Sequence, residues 1–435
     1  MGDAERVRAI ADADRRRRMT VVAERGTVAG GLLLRVLVPL GAGFFMASFF
    51  RSLNAVLSPY LITDLHLTAR SLGLLTSVYF FTSAVFQAPL GLIMDRFGPR
   101  RVQGTMMCVA TIGVLMFALS DNVNVLIAGR AIMGVGAAGA LMTSFQAIVL
   151  WFPPARWPSL NGWVMAAGGL GGLAASLPAA LVLHVTDWHG LMLGAAVATI
   201  LVAITILVVV PEHGRPARHS TVGEQVRGLA LIYRDRLFWR LAPVSAVAAG
   251  SNLAFGGLWA GPWLKDVAGL GPDGIAVTVF FFAALVTVAY VVNGMVAAWL
   301  GRRGIALTWI IGIGFFISIM LQLPLLLPTG AGRWVVMVGI GAFGGITALA
   351  YPLLNAHFPA GMSGRVSTAV NLFFFVGAFV VQYAVGFIID LFEPVAQGTY
   401  PVAAYQTAFA VMIVVELMSW LWFLIPVRAR PASAR

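Results

Sequence analysis

The sequence predicts an all-α membrane protein, with twelve transmembrane helices in two pseudo-symmetric six-helix bundles. Three observations carry this expectation. Of 435 residues, 60% are hydrophobic and only 11% are charged, against about 25% charged in a soluble domain. Twelve continuous apolar runs have the length of about 20 residues that a helix needs to cross about 30 Å of hydrocarbon. A polar interval at 211–236 divides these runs six and six. The runs do not alternate, which argues against a strand barrel.

In chain order the spans are expected at 36–61, 71–93, 102–120, 122–148, 160–183, 190–210, 238–264, 274–299, 305–327, 333–356, 366–389 and 403–426. The chain therefore divides into an arm (1–34), a first bundle (35–210), a linker (211–237), a second bundle (238–427) and a tail (428–435). Basic residues collect in alternate connections: Arg15 to Arg18 in the arm, Arg96, Arg100 and Arg101 after span 2, Arg215 to Arg240 around the linker, Arg302 and Arg303 after span 8, and Arg428 and Arg430 in the tail. The opposite loops hold only Arg70, Lys265 and Arg333. Since Lys and Arg mark the loops that stay inside, both termini are expected in the cytoplasm. The arm lacks the apolar core of a signal peptide and reads as a solvated arm that helps fix orientation. With 28 arginines against one lysine, the composition suggests a GC-rich bacterial gene, hence a bacterial inner membrane.

Several function classes drop out. The single cysteine, Cys108, allows no internal disulfide, and the six histidines form no metal-binding pair at helical spacing. No nucleophile–base pair is visible, so an enzyme is not expected, and neither is a cofactor. The net charge of +12 lies in short runs between apolar stretches rather than on one face, so nucleic acid is not an expected partner. The expected partners are the lipid bilayer and a small molecule.

The halves echo each other. Gly91-Leu-Ile-Met-Asp95-Arg96-Phe-Gly98-Pro-Arg100-Arg101 follows span 2, and Gly294-Met-Val-Ala-Ala298-Trp-Leu-Gly301-Arg302-Arg303 follows span 8. Phe152-Pro153 after span 4 is answered by Phe358-Pro359 after span 10. Duplicated helical halves are the architecture of many secondary transporters. The complete G-x-x-x-D-R-x-G-x-R run resembles the loop motif of the major facilitator superfamily, and Arg130-x-x-x-Gly134-x-Gly136 in span 4 resembles a second pattern of that superfamily. The resemblance implies twelve spans, a mostly monomeric transporter and a conformational latch formed by Gly91, Asp95, Arg96, Gly98, Arg100 and Arg101. Physically, an anion at Asp95 can face a helix N-terminus, and the two glycines permit a tight turn and close helix approach.

Two arginines lie deep in apolar runs. Arg51 precedes the expected end of span 1 by ten residues, and Arg130 follows Asp121 by nine. That is roughly 14–15 Å of helix each. A lone arginine at that depth costs at least about 2.5–3.5 kcal/mol and marks a cavity, a partner or a substrate. No acidic residue of the first-half spans shares the depth, so a bound anion is the expected partner, and a guanidinium fork suits a carboxylate or phosphate; the alternatives are structural pairing with backbone carbonyls or tyrosines for Arg130 and snorkelling toward the outer interface for Arg51. The segment Arg51-Ser-Leu-Asn-Ala55-Val-Leu-Ser-Pro59-Tyr60 looks like span 1 of the anion:cation symporters and organophosphate antiporters, which implies an anion-binding role for Arg51. Arg130 matches a span 4 arginine of the symporters. Phe50 and Ala137 stand where proton-coupled members carry acids, and Asn252 and Leu253 stand near the second arginine position of the organophosphate antiporters.

Tyr79, Gln87, Asn252, Tyr290, Asn293, Tyr351, Asn355, Asn371 and Gln382 are further candidates to complete a substrate site; the alternative for each is an interhelical hydrogen bond. Glu416 in span 12 is a candidate proton site or a structural carboxyl. Trp263, near a span end, is expected in the interfacial belt. The run Gly168-Gly169-Leu-Gly171-Gly172 lacks the end of a phosphate loop and suits close helix packing.

The expected function is secondary transport of a small organic anion, a carboxylate foremost, by rocking of the halves about a central cavity, with a proton or sodium ion as a candidate coupling partner. The alternatives are an exporter of drugs, siderophores or other amphipathic compounds, and a non-transporting sensor on the same fold.

Overall fold

The computed structural model describes residues 31–153, 156–212, 222–359, 362–396 and 398–426. The arm up to residue 30, the tail arginines and the linker arginines Arg215 and Arg218 lie outside the described residues. Among the described residues, twelve helices are long and apolar enough to cross a membrane. We number them span 1 (Leu33–Ser52), span 2 (Ala69–Gly91), span 3 (Arg96–Ala118), span 4 (Val123–Trp151), span 5 (Ser159–Leu183), span 6 (Trp188–Val209), span 7 (Arg236–Asp266), span 8 (Pro272–Arg302), span 9 (Leu307–Leu326), span 10 (Arg333–His357), span 11 (Gly364–Ile389) and span 12 (Val402–Leu424). Span 1 is continued past a break at Leu53 by a helix over Asn54–Leu65. The polar linker also contains a helix, Val222–Tyr233.

Consecutive spans run antiparallel, so each has one end on the side of the linker and one on the far side. At the far-side start of span 2, the Thr68 hydroxyl caps the Ser71 N–H. At the linker-side start of span 7, Asp235 accepts from the Leu237 and Phe238 N–H groups. Such caps satisfy donors that a helix end leaves free. Between spans 2 and 3 the helical course breaks only at Gly98 (φ 74°, ψ 164°), a left-handed conformation that disfavours any side chain with a Cβ.

Helices in lipid associate through close packing rather than hydrophobic exclusion from water, and glycine crossings supply that packing. A Cβ on Gly113 would stand 2.5 Å from the Gly129 carbonyl, joining spans 3 and 4, and one on Gly250 would stand 2.6 Å from the Gly377 carbonyl, joining spans 7 and 11. The apolar core is distributed unevenly. The largest cluster fills the first half and continues into the far-side part of the second through Phe255, Trp259, Trp263, Leu264, Ile275 and Tyr405. The linker-side part of the second half keeps a cluster of its own, with Ile232, Phe238, Leu354, Phe358 and Phe423.

The far side is therefore where the halves meet. The Ala69 N–H at the start of span 2 donates to the Tyr400 hydroxyl, 3.0 Å. That hydroxyl donates to Asp390, 2.7 Å, while Asp266 accepts from the Tyr400 N–H and, at 2.6 Å, from the Tyr405 hydroxyl. Burial, above all, pushes the Tyr400 pKa up to about 12, which keeps it a donor. His184 after span 5 pairs with Asp273 of span 8, 2.9 Å.

Candidate functional site

Span 1 carries the first guanidinium where its helix is discontinuous. Arg51 precedes the break at Leu53, is half-buried, and donates from Nη2 to the Ser48 hydroxyl at 3.2 Å; its buried Nε has no partner. Arg130, in the regular helix Val123–Ala137 of span 4, is only 2% exposed. Its Nη1 donates to the Phe50 carbonyl at 3.0 Å, and its Nε and Nη2 have no partner. Its guanidinium carbon lies over the Tyr79 ring, 5.1 Å from the centroid, within cation–π range. The Tyr79 hydroxyl donates to the Ala47 carbonyl, 3.0 Å. Tyr79 and Arg130 thus hold two carbonyls of span 1 that lie one turn apart, and Arg51 sits next to the second. Among the described residues, neither arginine is paired with a carboxylate.

The second half faces this cluster with uncharged polar groups. Span 7 abuts span 1 there, since a Cβ on Gly257 would stand 3.1 Å from the Arg51 carbonyl, and span 8 contributes Tyr290. Tyr290 lines a recess with Asn252, Gly344, Gly345, Tyr351 and Phe374. The recess exists because span 10 is irregular, π-helical over Gly339–Phe343 and 3-10 over Gly344–Leu349. Side-chain donors take its carbonyls: Ser318 that of Gly339 (2.9 Å), Asn252 that of Ile340 (2.9 Å) and Asn293 that of Ala342 (2.9 Å). Groups inserted into the helical ladder in this way open it. The Tyr351 hydroxyl donates to Asn371 Oδ1, 3.2 Å.

The structure thus brings Arg51, Arg130 and Tyr79 together on the first-half side and Asn252, Tyr290 and Tyr351 with Asn371 on the second. It sets other candidates apart. Gln87 donates to the Ala138 carbonyl (3.0 Å), joining spans 2 and 4. Asn355 donates to the Ser367 hydroxyl (3.2 Å), joining spans 10 and 11. Gln382 is 1% exposed, and its backbone carbonyl accepts from the Trp259 indole, 3.0 Å. Glu416 is fully enclosed in the second half, where the Gln322 amide of span 9 donates to its Oε2 at 2.9 Å. Trp263 is not a belt residue: it is 1% exposed, packed against Phe255. Phe374 and the pair Gly344-Gly345 escape sequence reasoning, because nothing marks an apolar or small residue in an apolar helix as lining a recess, and Ser48, which accepts from Arg51, escapes it because a lone serine in an apolar run carries no signal.

In the loop after span 2, the Asp95 side chain lies outside the described residues. Arg101 binds Glu212 after span 6 at 2.6 Å and holds its carboxyl below the ordinary value. Arg100 donates to the Leu207 carbonyl, and Arg96 lies over the Phe97 ring at 5.2 Å.

The family model "Major Facilitator Superfamily" matches residues 40–382. Among curated proteins, the uncharacterized transporter YybO of Bacillus subtilis is 24% identical over 184 residues, 42% of each chain. The probable sulfoacetate transporter SauU of Cupriavidus necator is 23% identical over 69% of this chain and 74% of its own. The fold is similar to that of a bacterial homologue of the human lysosomal transporter Spinster in an inward-facing and occupied conformation. That match has a TM-score of 0.73 and 17% identity, and covers 91% of this chain and 97% of the other.

Proposed function

This chain belongs to the major facilitator superfamily, and from that premise we propose that it carries a small organic anion, a carboxylate foremost, across a bacterial inner membrane by alternating access. It is a multi-pass membrane protein and a secondary transporter, not an enzyme. The observation that supports an anionic cargo is the pair Arg51 and Arg130: two guanidinium groups inside the bundle, each with buried N–H groups that lack a partner and neither facing a carboxylate among the described residues. An unsatisfied buried donor is costly, and a cation in a bundle interior is tolerated beside a cavity or a counter-ion. A carboxylate would supply both charge and acceptors in the fork geometry that arginine favours. SauU, described as a probable sulfoacetate transporter, is a relative whose cargo would be anionic. The loop around Asp95 and Arg96 serves in this reading as the latch between halves, on the side that carries the linker.

The test is anion binding by the purified protein and by Arg51→Ala, followed by uptake into proteoliposomes. Loss of the guanidinium is expected to weaken carboxylate binding at least about tenfold, the scale of one charge-assisted hydrogen bond. An Arg51→Ala protein that folds and binds carboxylates as tightly as the parent would overturn the reading.

A further inference from the structure

Among the described residues, Glu416 is the only fully buried carboxyl, 1% exposed, and the carriage of an anion leaves it without a task. It stands in span 12, eight residues before the linker-side end at Leu424, about 12 Å of helix. Span 12 packs against spans 7, 9 and 11, and these bring it no cation. Span 9 carries no titratable side chain. Those of span 7 sit at its ends, Arg236 and Arg240 toward the linker, Lys265 and Asp266 on the far side. Arg240 donates to the Phe423 carbonyl (2.7 Å), and Asp266 accepts from Tyr405 near the far-side end of span 12 itself. Span 11 has Arg365 at its linker-side start and Tyr383 toward its far-side end, where the Tyr383 hydroxyl accepts from Arg70. An ionised carboxylate without a counter-ion is costly to bury, and its neutral form is far less so.

The neighbours of Glu416 suit that neutral form. Gln322 of span 9 donates from Nε2 to Glu416 Oε2, 2.9 Å, while its own Oε1 is buried with no partner. A free amide oxygen beside a carboxyl is the acceptor that a carboxylic O–H requires, so that acid and amide can pair with one bond in each direction. The same cluster reaches span 10. Gln322 Nε2 also donates to the Ser318 carbonyl, 3.2 Å, and the Ser318 hydroxyl holds the Gly339 carbonyl at the start of the π-helical stretch. Asn252 of span 7 and Asn293 of span 8 hold the Ile340 and Ala342 carbonyls of that stretch. Spans 7 and 8 in turn meet the first half: Gly257 abuts the Arg51 carbonyl, and a Cβ on Gly169 of span 5 would run into Thr287 of span 8.

We propose that Glu416 is a proton-binding site, and that arrival and departure of this proton set the course of span 10 and, through spans 7 and 8, the seam between the halves. The proton is exchanged with water when spans 9 and 12 part. Its loss leaves a carboxylate oxygen facing Gln322 Oε1; the amide then turns, and its bond to the Ser318 carbonyl goes with it. A sodium ion does not fit this arrangement, because Gln322 turns an N–H and not its oxygen toward Glu416 Oε2. The inference is independent of the charge of the cargo, and so of the anion reading above.

The experiment uses the full-length protein reconstituted in liposomes, with no cargo present. Infrared difference spectra of Glu416→Gln against the parent are recorded in acidic, neutral and alkaline buffer. They are expected to show the C=O band of a protonated carboxyl in the neutral parent, absent from the variant and lost from the parent in alkali. Gln322→Leu, which removes the amide partner, is expected to move the pH at which that band is lost. Spin labels at the exposed linker-side residues Phe97 and Ile305, with Cys108 replaced by serine, report the separation of the halves. The parent's distances are expected to shift over the same pH interval, and Glu416→Gln to keep the acid-form distances throughout. A band unchanged by Glu416→Gln, or missing from the neutral parent, overturns the site. Distances that follow pH equally in parent and variant overturn its coupling to the seam, and distances that follow sodium at constant pH overturn the proton as ligand. Carboxylate binding by Arg51→Ala, on which the anion reading turns, decides none of these.

Discussion

Arg51 and Arg130 are neighbours with unequal commitments. Arg130 is nine-tenths and more buried and spends one N–H on the Phe50 carbonyl, which in an unbroken helix would serve Asn54. Arg51 is half-buried and bonded only to Ser48 within its own helix. Their substitutions should therefore differ in kind. Arg130→Ala leaves a buried carbonyl without its donor, a loss of about 1–3 kcal/mol, and is expected to lower the melting temperature and the anion affinity together. Arg51→Ala is expected to lower affinity with little change in melting temperature. Thermal unfolding in detergent beside a binding titration checks both, and equal destabilisation by the two variants would contradict the assignment. The arginines themselves are legible from sequence, since a charge inside an apolar run needs a reason. The Phe50 carbonyl is not, because a backbone acceptor has no signature in the side-chain code.

Among the helices, a similar limit applies. The number, order and hydropathy of the spans follow from length and composition, and Gly98 follows from its place in a turn motif; its φ of 74° fits that reading. The irregular course of span 10 does not, because Gly339-Ile-Gly-Ala-Phe-Gly-Gly reads as plain apolar helix. What opens it is a set of donors from spans 7, 8 and 9. Asn252 and Asn293, singled out as candidate substrate ligands, are bonded to these carbonyls. The crossing of spans 7 and 11 is stricter still. A side chain on Gly377 would run into the Ala246 backbone carbonyl, and neither helix can move without losing the contact at Gly250. Gly377→Val should cost the protein about 1–3 kcal/mol through overpacking. It is expected to appear as reduced yield of monodisperse protein, whereas Gly294→Ala, which meets nothing within 4 Å, should express like the parent.

Over the whole molecule, the core of the first half runs on into the far side of the second, while the linker side of the second half keeps a cluster of its own. The far-side contacts join residues as distant in sequence as Ala69 and Tyr400, and so have no local pattern from which they could be foreseen. The duplicated loop motif, by contrast, is a local pattern, and the family follows from it. Tyr400→Phe removes the hydroxyl that both accepts from Ala69 and donates to Asp390. It is expected to shift the ensemble toward far-side opening. Spin labels at the exposed far-side residues Val185 and Val395, on a background with Cys108 replaced by serine, should then report a larger population of long distances. An unchanged distance distribution would mean that Tyr400 does not hold the halves together.

The shared far-side core has a consequence for leakage. Because its apolar side chains come from both halves, no path for ions can appear there until Trp259, Leu264 and their partners part and become wet. The same wetting that exposes the route to cargo is what breaks the seal, so permeability and turnover are governed by one surface.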